Sequence, residues 1–131
     1  MALINVTFPG GARVDANING RDIFTDQPVS AGGSDSAPSP FELFLASLAT
    51  CSGIFALSFC QNKNISTEGL GLTMDASKNP ETHLFEKVTF KLTLPTDFPD
   101  KYKRAIIRTM NLCSVKKFML NMPEFEIITE E

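Results

Sequence analysis

Apolar and polar residues alternate through the first third of the chain with a period of two. Ile4, Val6 and Phe8 are interleaved with Asn5 and Thr7, and Val14, Ala16 and Ile18 with Arg13, Asp15 and Asn17. This is the pattern of strands with one buried face. Pro9-Gly10-Gly11 separates the two runs, and Asn19-Gly20 closes the second with the dipeptide that a two-residue hairpin favours. A third strand at about 21–25 completes a predicted meander. Residues 26–38 are turn formers almost throughout and predict a surface loop.

The pattern changes at Ser39. A serine before Pro40, with Glu42 three places after it, combines an N-cap, a proline at the first helical position and a capping box. The helix is predicted from 40 to about 61. Residues 43–60 carry no charge, so a membrane span is the rival reading. Ser47, Thr50, Ser52 and Ser58 within the stretch, and strands that need an apolar surface, favour a buried central helix instead. Gly53 lowers helix propensity, which close approach to another element would offset.

Alternation returns in Leu70, Leu72 and Met74, and again in Val88, Phe90, Leu92 and Leu94, with a polar connection from Ser77 to Thr82. A second helix is predicted from near Pro99, with Tyr102, Ile106, Thr109, Met110 and Cys113 on one face. Its apolar phase drifts to Val115, Phe118 and Met119, which predicts a kink or fresh start near Asn111. Pro123 ends it, and Phe125 to Ile128 reads as a closing strand. The order is β-β-β-α-β-β-α-β, an α+β fold with an antiparallel sheet. Strands with one core face leave a helix that is apolar all round with surface to spare. A homodimer in which the long helices meet would cover it.

Composition narrows the class. The chain has 131 residues, 43% of them hydrophobic, and a formal charge of −3, which fits one domain over 1–131. No basic patch of the size nucleic acid requires is apparent. The start, Met1 to Val6, lacks the basic and apolar regions of a signal peptide. With three cysteines this points to the reducing cytoplasm, and to no membrane partner. One histidine and scattered cysteines are poor material for a zinc site or a Ser-His-Asp arrangement; His83 reads as a surface residue.

The thiols are the candidate chemistry. Cys51 and Cys60 lie nine residues apart on one helix, facing opposite ways and about 13 Å apart along its axis. That separation rules out a disulfide between them, and Cys60 reads as apolar filler. Cys51 stands among Thr50, Ser52 and Gly53, small residues that leave room for a ligand. Cys113 is the other thiol able to meet it, near a suspected helix start. Spacing leaves that contact open.

The run from Gly32-Gly33-Ser34-Asp35 through Pro38-Ser39-Pro40-Phe41-Glu42-Leu43 to Thr50-Cys51, with Leu112-Cys113-Ser114-Val115 later, resembles the OsmC and organic hydroperoxide resistance superfamily. The likeness spans nearly the whole chain, in an OsmC-like branch. It implies the OsmC-like fold, an intertwined homodimer with packed central helices, and a thiol-dependent peroxidase for organic hydroperoxides. It further implies Cys51 as the attacking thiolate, Cys113 as the resolving thiol and a Cys51–Cys113 disulfide, no cofactor, and an external thiol or dithiol reductant. An Arg from the N-terminal strands, Arg13 or else Arg21, and a Glu near the helix start, Glu42, complete the implied site. An Arg suits a mid-helix cysteine, which its own helix terminus does little to activate. Two positions depart from the pattern: Phe41 follows Pro40 where the family has Glu, and Ser114 follows Cys113 where it usually has Pro. Glu42 also has a sufficient role as a cap. Phe41, Phe44, Leu48 and Phe55 are expected to form an apolar wall suited to greasy peroxides. The alternative on the same scaffold is a non-catalytic protein that binds a small apolar ligand.

Overall fold

The computed structural model describes residues 3–130; Met1, Ala2 and Glu131 lie outside the described residues. Among the described residues the fold is α+β. It has two antiparallel sheets, ordered β1-β2-β3 and β4-β5, and three α-helices. Contacts divide the chain into two compact units, one ending at Ala46 and one beginning at Ser47.

The first unit is the meander. Strand β1 (Ile4–Gly10) pairs with β2 (Arg13–Ile18), and β2 with β3 (Arg21–Ile23). Pairing slips between Thr7 and Gly10, where Pro9 has no N–H to give the ladder. Asn19 and Gly20 both take positive φ, 52° and 81°, between the paired residues Ile18 and Arg21. That is the left-handed conformation a tight hairpin demands. The third strand stops at Ile23, two residues short of its predicted end, because Thr25 turns to other bonds. Its hydroxyl and carbonyl engage the Val14 carbonyl and N–H.

The following loop is held by a buried carboxylate. Asp26 accepts from the backbone N–H of Gln27 at 2.7 Å, and from the Ser36 hydroxyl and N–H at 2.6 and 3.0 Å. A weaker bond comes from the Ser34 N–H at 3.3 Å. These donors, led by the Ser36 hydroxyl, hold the Asp26 carboxyl at about 2. Gly33 belongs to the same construction. A Cβ there would lie 2.0 Å from the Gln27 carbonyl oxygen, so only glycine fits.

Helix α1 (Pro40–Asn62) begins with the capping box foreseen from the sequence. The Glu42 N–H donates to Ser39 Oγ at 3.3 Å, and the Ser39 N–H donates to Glu42 Oε1 at 3.1 Å. Among the described residues it is the one helix long and apolar enough to cross a membrane. It is not buried all round, as the sequence led us to expect. Leu48, Ser52, Ala56, Phe59 and Cys60 form a buried stripe, whereas Phe41 and Ile54 are exposed. One chain supplies neighbours for one side of the helix. At Gly53 a Cβ would meet Leu72 Cδ2 at 3.7 Å, an ordinary contact, so no close approach within the chain calls for glycine.

In the second unit β4 (Gly71–Lys78) and β5 (Phe85–Thr93) form a long hairpin, in register from Gly71–Thr93 to Ser77–Lys87. Asn79 organises its turn, accepting the N–H groups of Glu81 and Thr82 on its side chain. His83 sits in that turn with φ of 61°. Leu72 and Leu92 pack on a core of Ala56, Phe59, Cys60, Ile106 and Met110, joined by Phe98 and Tyr102. The expected single second helix is broken at the phase drift. A 3-10 turn (Asp100–Tyr102) leads into α2 (Lys103–Met110), and after Asn111 to Cys113 a new helix, α3 (Ser114–Leu120), begins. The closing strand is the element the structure does not form. Residues 123–130 have no strand pairing, and Phe125, Ile127 and Ile128 are exposed, Ile127 to 97%. A strand exists only against a partner edge, and this segment has none in the single chain.

Candidate functional site

Two elements bring the thiols together. Cys51 sits midway along α1, and Cys113 is the residue before the first turn of α3, with φ −51° and ψ 127°. The break at Asn111 lets this happen. It frees the chain from the α2 helix so that Cys113 can turn inward, where it is 1% exposed. The Cys113 carbonyl then accepts the Lys117 N–H at 3.1 Å and starts α3.

The Cys51 side chain is in hydrogen-bond contact with that of Cys113 and with the backbone N–H groups of Val115 and Ser114. The Cys113 contact is the largest influence holding the Cys51 thiol below its ordinary range. Burial acts in the opposite sense, and the two N–H groups assist the lowering. From the sequence an arginine is expected in this role, since Cys51 is far from the ends of its own helix. The first turn of a different helix supplies donors, a through-space relation that spacing along the chain does not reveal. Cys60 differs in kind: it is fully buried in the core, and burial alone pushes its thiol up. All three cysteines are free thiols.

The remaining expected site residues lie in the first unit. Arg13, on β2, makes an ion pair with Asp15 at 2.8 Å and lies over the Phe24 ring, 5.8 Å from its centre. Period-two geometry puts 13 and 15 on one face of the strand, which is why they meet. Asp15 Oδ1, the other oxygen of that carboxylate, is buried without a hydrogen-bond partner among the described residues. Arg21 opens β3 and is exposed. Glu42 is engaged in its capping box. Asp26, not singled out from the sequence, is the buried charge of this unit. In a loop of serines and glycines an aspartate reads as turn composition.

A cavity of about 550 Å³ opens beside Cys113. Leu48 and Ser52 of α1 form one wall, Val88, Phe90 and Leu92 of β5 another, and Ile107, Met110 and Met119 of α2 and α3 a third. Lys87, Thr89, Asn111 and Lys116 complete it. Of the apolar wall expected from the sequence, Leu48 alone lines it. Phe55 instead lines a second cavity, of about 570 Å³, with Phe59 and Leu112; Phe41 and Phe44 stack on each other at 5.7 Å between ring centres. Among the described residues no group of three or more His, Cys, Asp or Glu is gathered to hold a metal ion.

The chain matches the family of OsmC-like proteins over residues 33–128. It belongs to the OsmC-like family. Solved structures carry the same fold across nearly the whole chain. One is a protein from Psychrobacter arcticus 273-4 named for osmotic stress induction and a detoxification response. It is 25% identical with a TM-score of 0.76, over 89% of this chain and 87% of that one. Another is an organic hydroperoxide resistance protein OsmC of Legionella pneumophila, 20% identical with a TM-score of 0.61, over 91% of this chain and 88% of its own. A third is the organic hydroperoxide resistance protein OhrB of Bacillus subtilis, 19% identical with a TM-score of 0.52, over 89% and 88%. No curated protein matches the chain. The OsmC-like match runs from Gly33 through the capping box and both thiols to Ile128.

Proposed function

We propose that this protein is a cytoplasmic, homodimeric, thiol-dependent peroxidase that reduces organic hydroperoxides. The observation that carries the reading is the contact between Cys51 and Cys113, with the Cys51 thiol lowered and half-exposed. The names of the solved relatives, two of them organic hydroperoxide resistance proteins, agree with it.

The chemistry takes two steps. The Cys51 thiolate attacks the terminal peroxide oxygen; an S–O bond forms, the O–O bond breaks, and the alkoxide takes up a proton and leaves as the alcohol. Cys113 then attacks the sulfur of the Cys51 sulfenic acid. The S–S bond forms and water departs, carrying the sulfenic hydroxyl and the Cys113 proton. An external thiol or dithiol returns two electrons and reopens the disulfide, and no cofactor is required. The family resemblance implies an Arg, Arg13 or else Arg21, and Glu42 as charged residues of the reaction; Arg13 is paired with Asp15 and Glu42 with its own helix cap.

Uncovered apolar surface supports the dimer. Ile4, Val6 and Phe8 on β1, Ile54 on α1 and the unpaired segment at Phe125–Ile128 are exposed in one chain. Such surface is normally covered in obligate homodimers.

Stopped-flow mixing with cumene hydroperoxide, against hydrogen peroxide, tests the activity. Fast turnover with the organic peroxide supports it. Inertness of Cys51 towards both sinks it and favours a second reading, a binding protein for a small apolar ligand. The apolar cavity supports that reading, being of the size small-molecule sites have.

A further inference from the structure

Six of the chain's twelve lysines and arginines fall within residues 101–117, and none of its fifteen aspartates and glutamates does. The formal net charge of −3 is therefore the balance of a basic stretch and an acidic remainder. Folding turns the stretch into a surface. Lys101 belongs to the 3-10 turn, Lys103, Arg104 and Arg108 to α2, and Lys116 and Lys117 to α3, and all six are exposed. On α2 the buried side is that of Ile106 and Met110, so the helical period sends Arg104 and Arg108 outward. Among the described residues the stretch makes one ion pair, Lys103 Nζ to Asp100 Oδ1 at 2.9 Å. Both partners are exposed, so the pair neutralises little. Ile107 and Leu112, set singly among the cations along the chain, are exposed to 56% and 51%.

Cations gathered on an amphipathic helix, with isolated apolar side chains between them, match the interface of an anionic bilayer. Ammonium and guanidinium groups meet the headgroups while the apolar side chains reach the acyl boundary. A protein partner would favour a concentrated apolar centre with charges at its rim. We propose that the α2–α3 face is a docking surface for a membrane carrying anionic lipid headgroups. The contact is peripheral and reversible, because exposed cations and two apolar side chains bury little area. A net charge of −3 does not prevent it, since the field close to the face is set by the local cations. The contact stands independently of the chemistry at Cys51.

The test uses the full chain. Co-sedimentation compares phosphatidylcholine vesicles with vesicles that also contain phosphatidylglycerol, at low and high ionic strength. Partition onto the anionic vesicles should be stronger by roughly tenfold or more, and salt should abolish the difference. Arg104→Gln/Arg108→Gln/Lys117→Gln should lose on the order of a hundredfold, about fivefold per cation, while its urea melt matches the parent. Arg104→Lys/Arg108→Lys/Lys117→Arg should bind as the parent does. The chain has no tryptophan, so Leu112→Trp supplies a reporter whose emission should shift to the blue on the anionic vesicles. Equal partition onto both kinds of vesicle, indifference to salt, or undiminished affinity in the glutamine variant overturns the proposal. So does an unshifted Leu112→Trp emission on vesicles that bind the protein. Tighter binding to polyglutamate or duplex DNA than to the anionic vesicles, at equal charge concentration, also overturns it and assigns the face to an acidic protein or a nucleic acid.

Discussion

The side chain of Cys113, at the start of α3, rests against that of Cys51 in the middle of α1. The pair exists because the apolar phase of the second helical region breaks at Asn111. A continuous helix from Lys103 onward would have carried Cys113 along the α2 face, with its N–H and carbonyl used in the helix. The break gives Cys113 an extended backbone and hands the Ser114 and Val115 N–H groups to the Cys51 sulfur.

The pH dependence of thiol reactivity follows. Cys51 alkylation by iodoacetamide, read by peptide mass spectrometry, should rise with pH around a midpoint below the usual ~8.5 of a free thiol. In Cys113→Ala the midpoint should move upward, since the largest stabilising contact of the thiolate is gone. Cys60, buried and shifted upward, should label only after unfolding. An unchanged midpoint in the variant would show that the contact does not set the reactivity.

The carboxylate of Asp26 makes a separate prediction. Its folded pKa, about 2, lies below the ordinary value of ~3.9 for an aspartate. Its stabilising contribution is therefore fully present above that ordinary value and lost as pH falls towards 2. Between those limits the Ser34 and Ser36 amides should lose protection from hydrogen exchange. Asp26→Asn should show the same loss already at neutral pH, and full protection in that variant would contradict the assignment.

Gly33 is the sharpest steric case. Gly33→Ala places a Cβ 2.0 Å from the Gln27 carbonyl oxygen and 2.8 Å from its Cα, so backbone must move. Destabilisation of about 1–3 kcal/mol in urea melts is expected. A melt matching the parent would mean that the loop relaxes freely.

Much of this was legible beforehand. Asn19-Gly20 specifies its hairpin, and Ser39, Pro40 and Glu42 specify the start of α1, because both are local devices whose partners lie within a few residues. The phase drift after Met110 marked the break between α2 and α3. What escaped depends on distant partners. Asp26 looks like any loop aspartate until Ser34 and Ser36 fold back on it. The apolar wall anticipated from α1 is mostly supplied by β5, α2 and α3. The alternation at Phe125–Ile128 is a strand pattern whose pairing edge this chain does not provide.

That last gap connects to assembly. Sedimentation at micromolar concentration should give about twice the 14.4 kDa of one chain, and Ile127→Lys/Phe125→Lys should shift the protein towards monomer. A stable monomer in the parent chain would remove the shared-helix argument.

Peptide mapping without reduction tests the ordered dithiol. One equivalent of an organic hydroperoxide should produce a Cys51–Cys113 disulfide within one subunit and leave Cys60 reduced. Cys51→Ser should abolish the first oxidation, whereas Cys113→Ser should stop at a Cys51 sulfenic acid prone to overoxidation. A Cys51–Cys60 link, a cross-subunit link as the main product, or three thiols surviving excess peroxide would each contradict it.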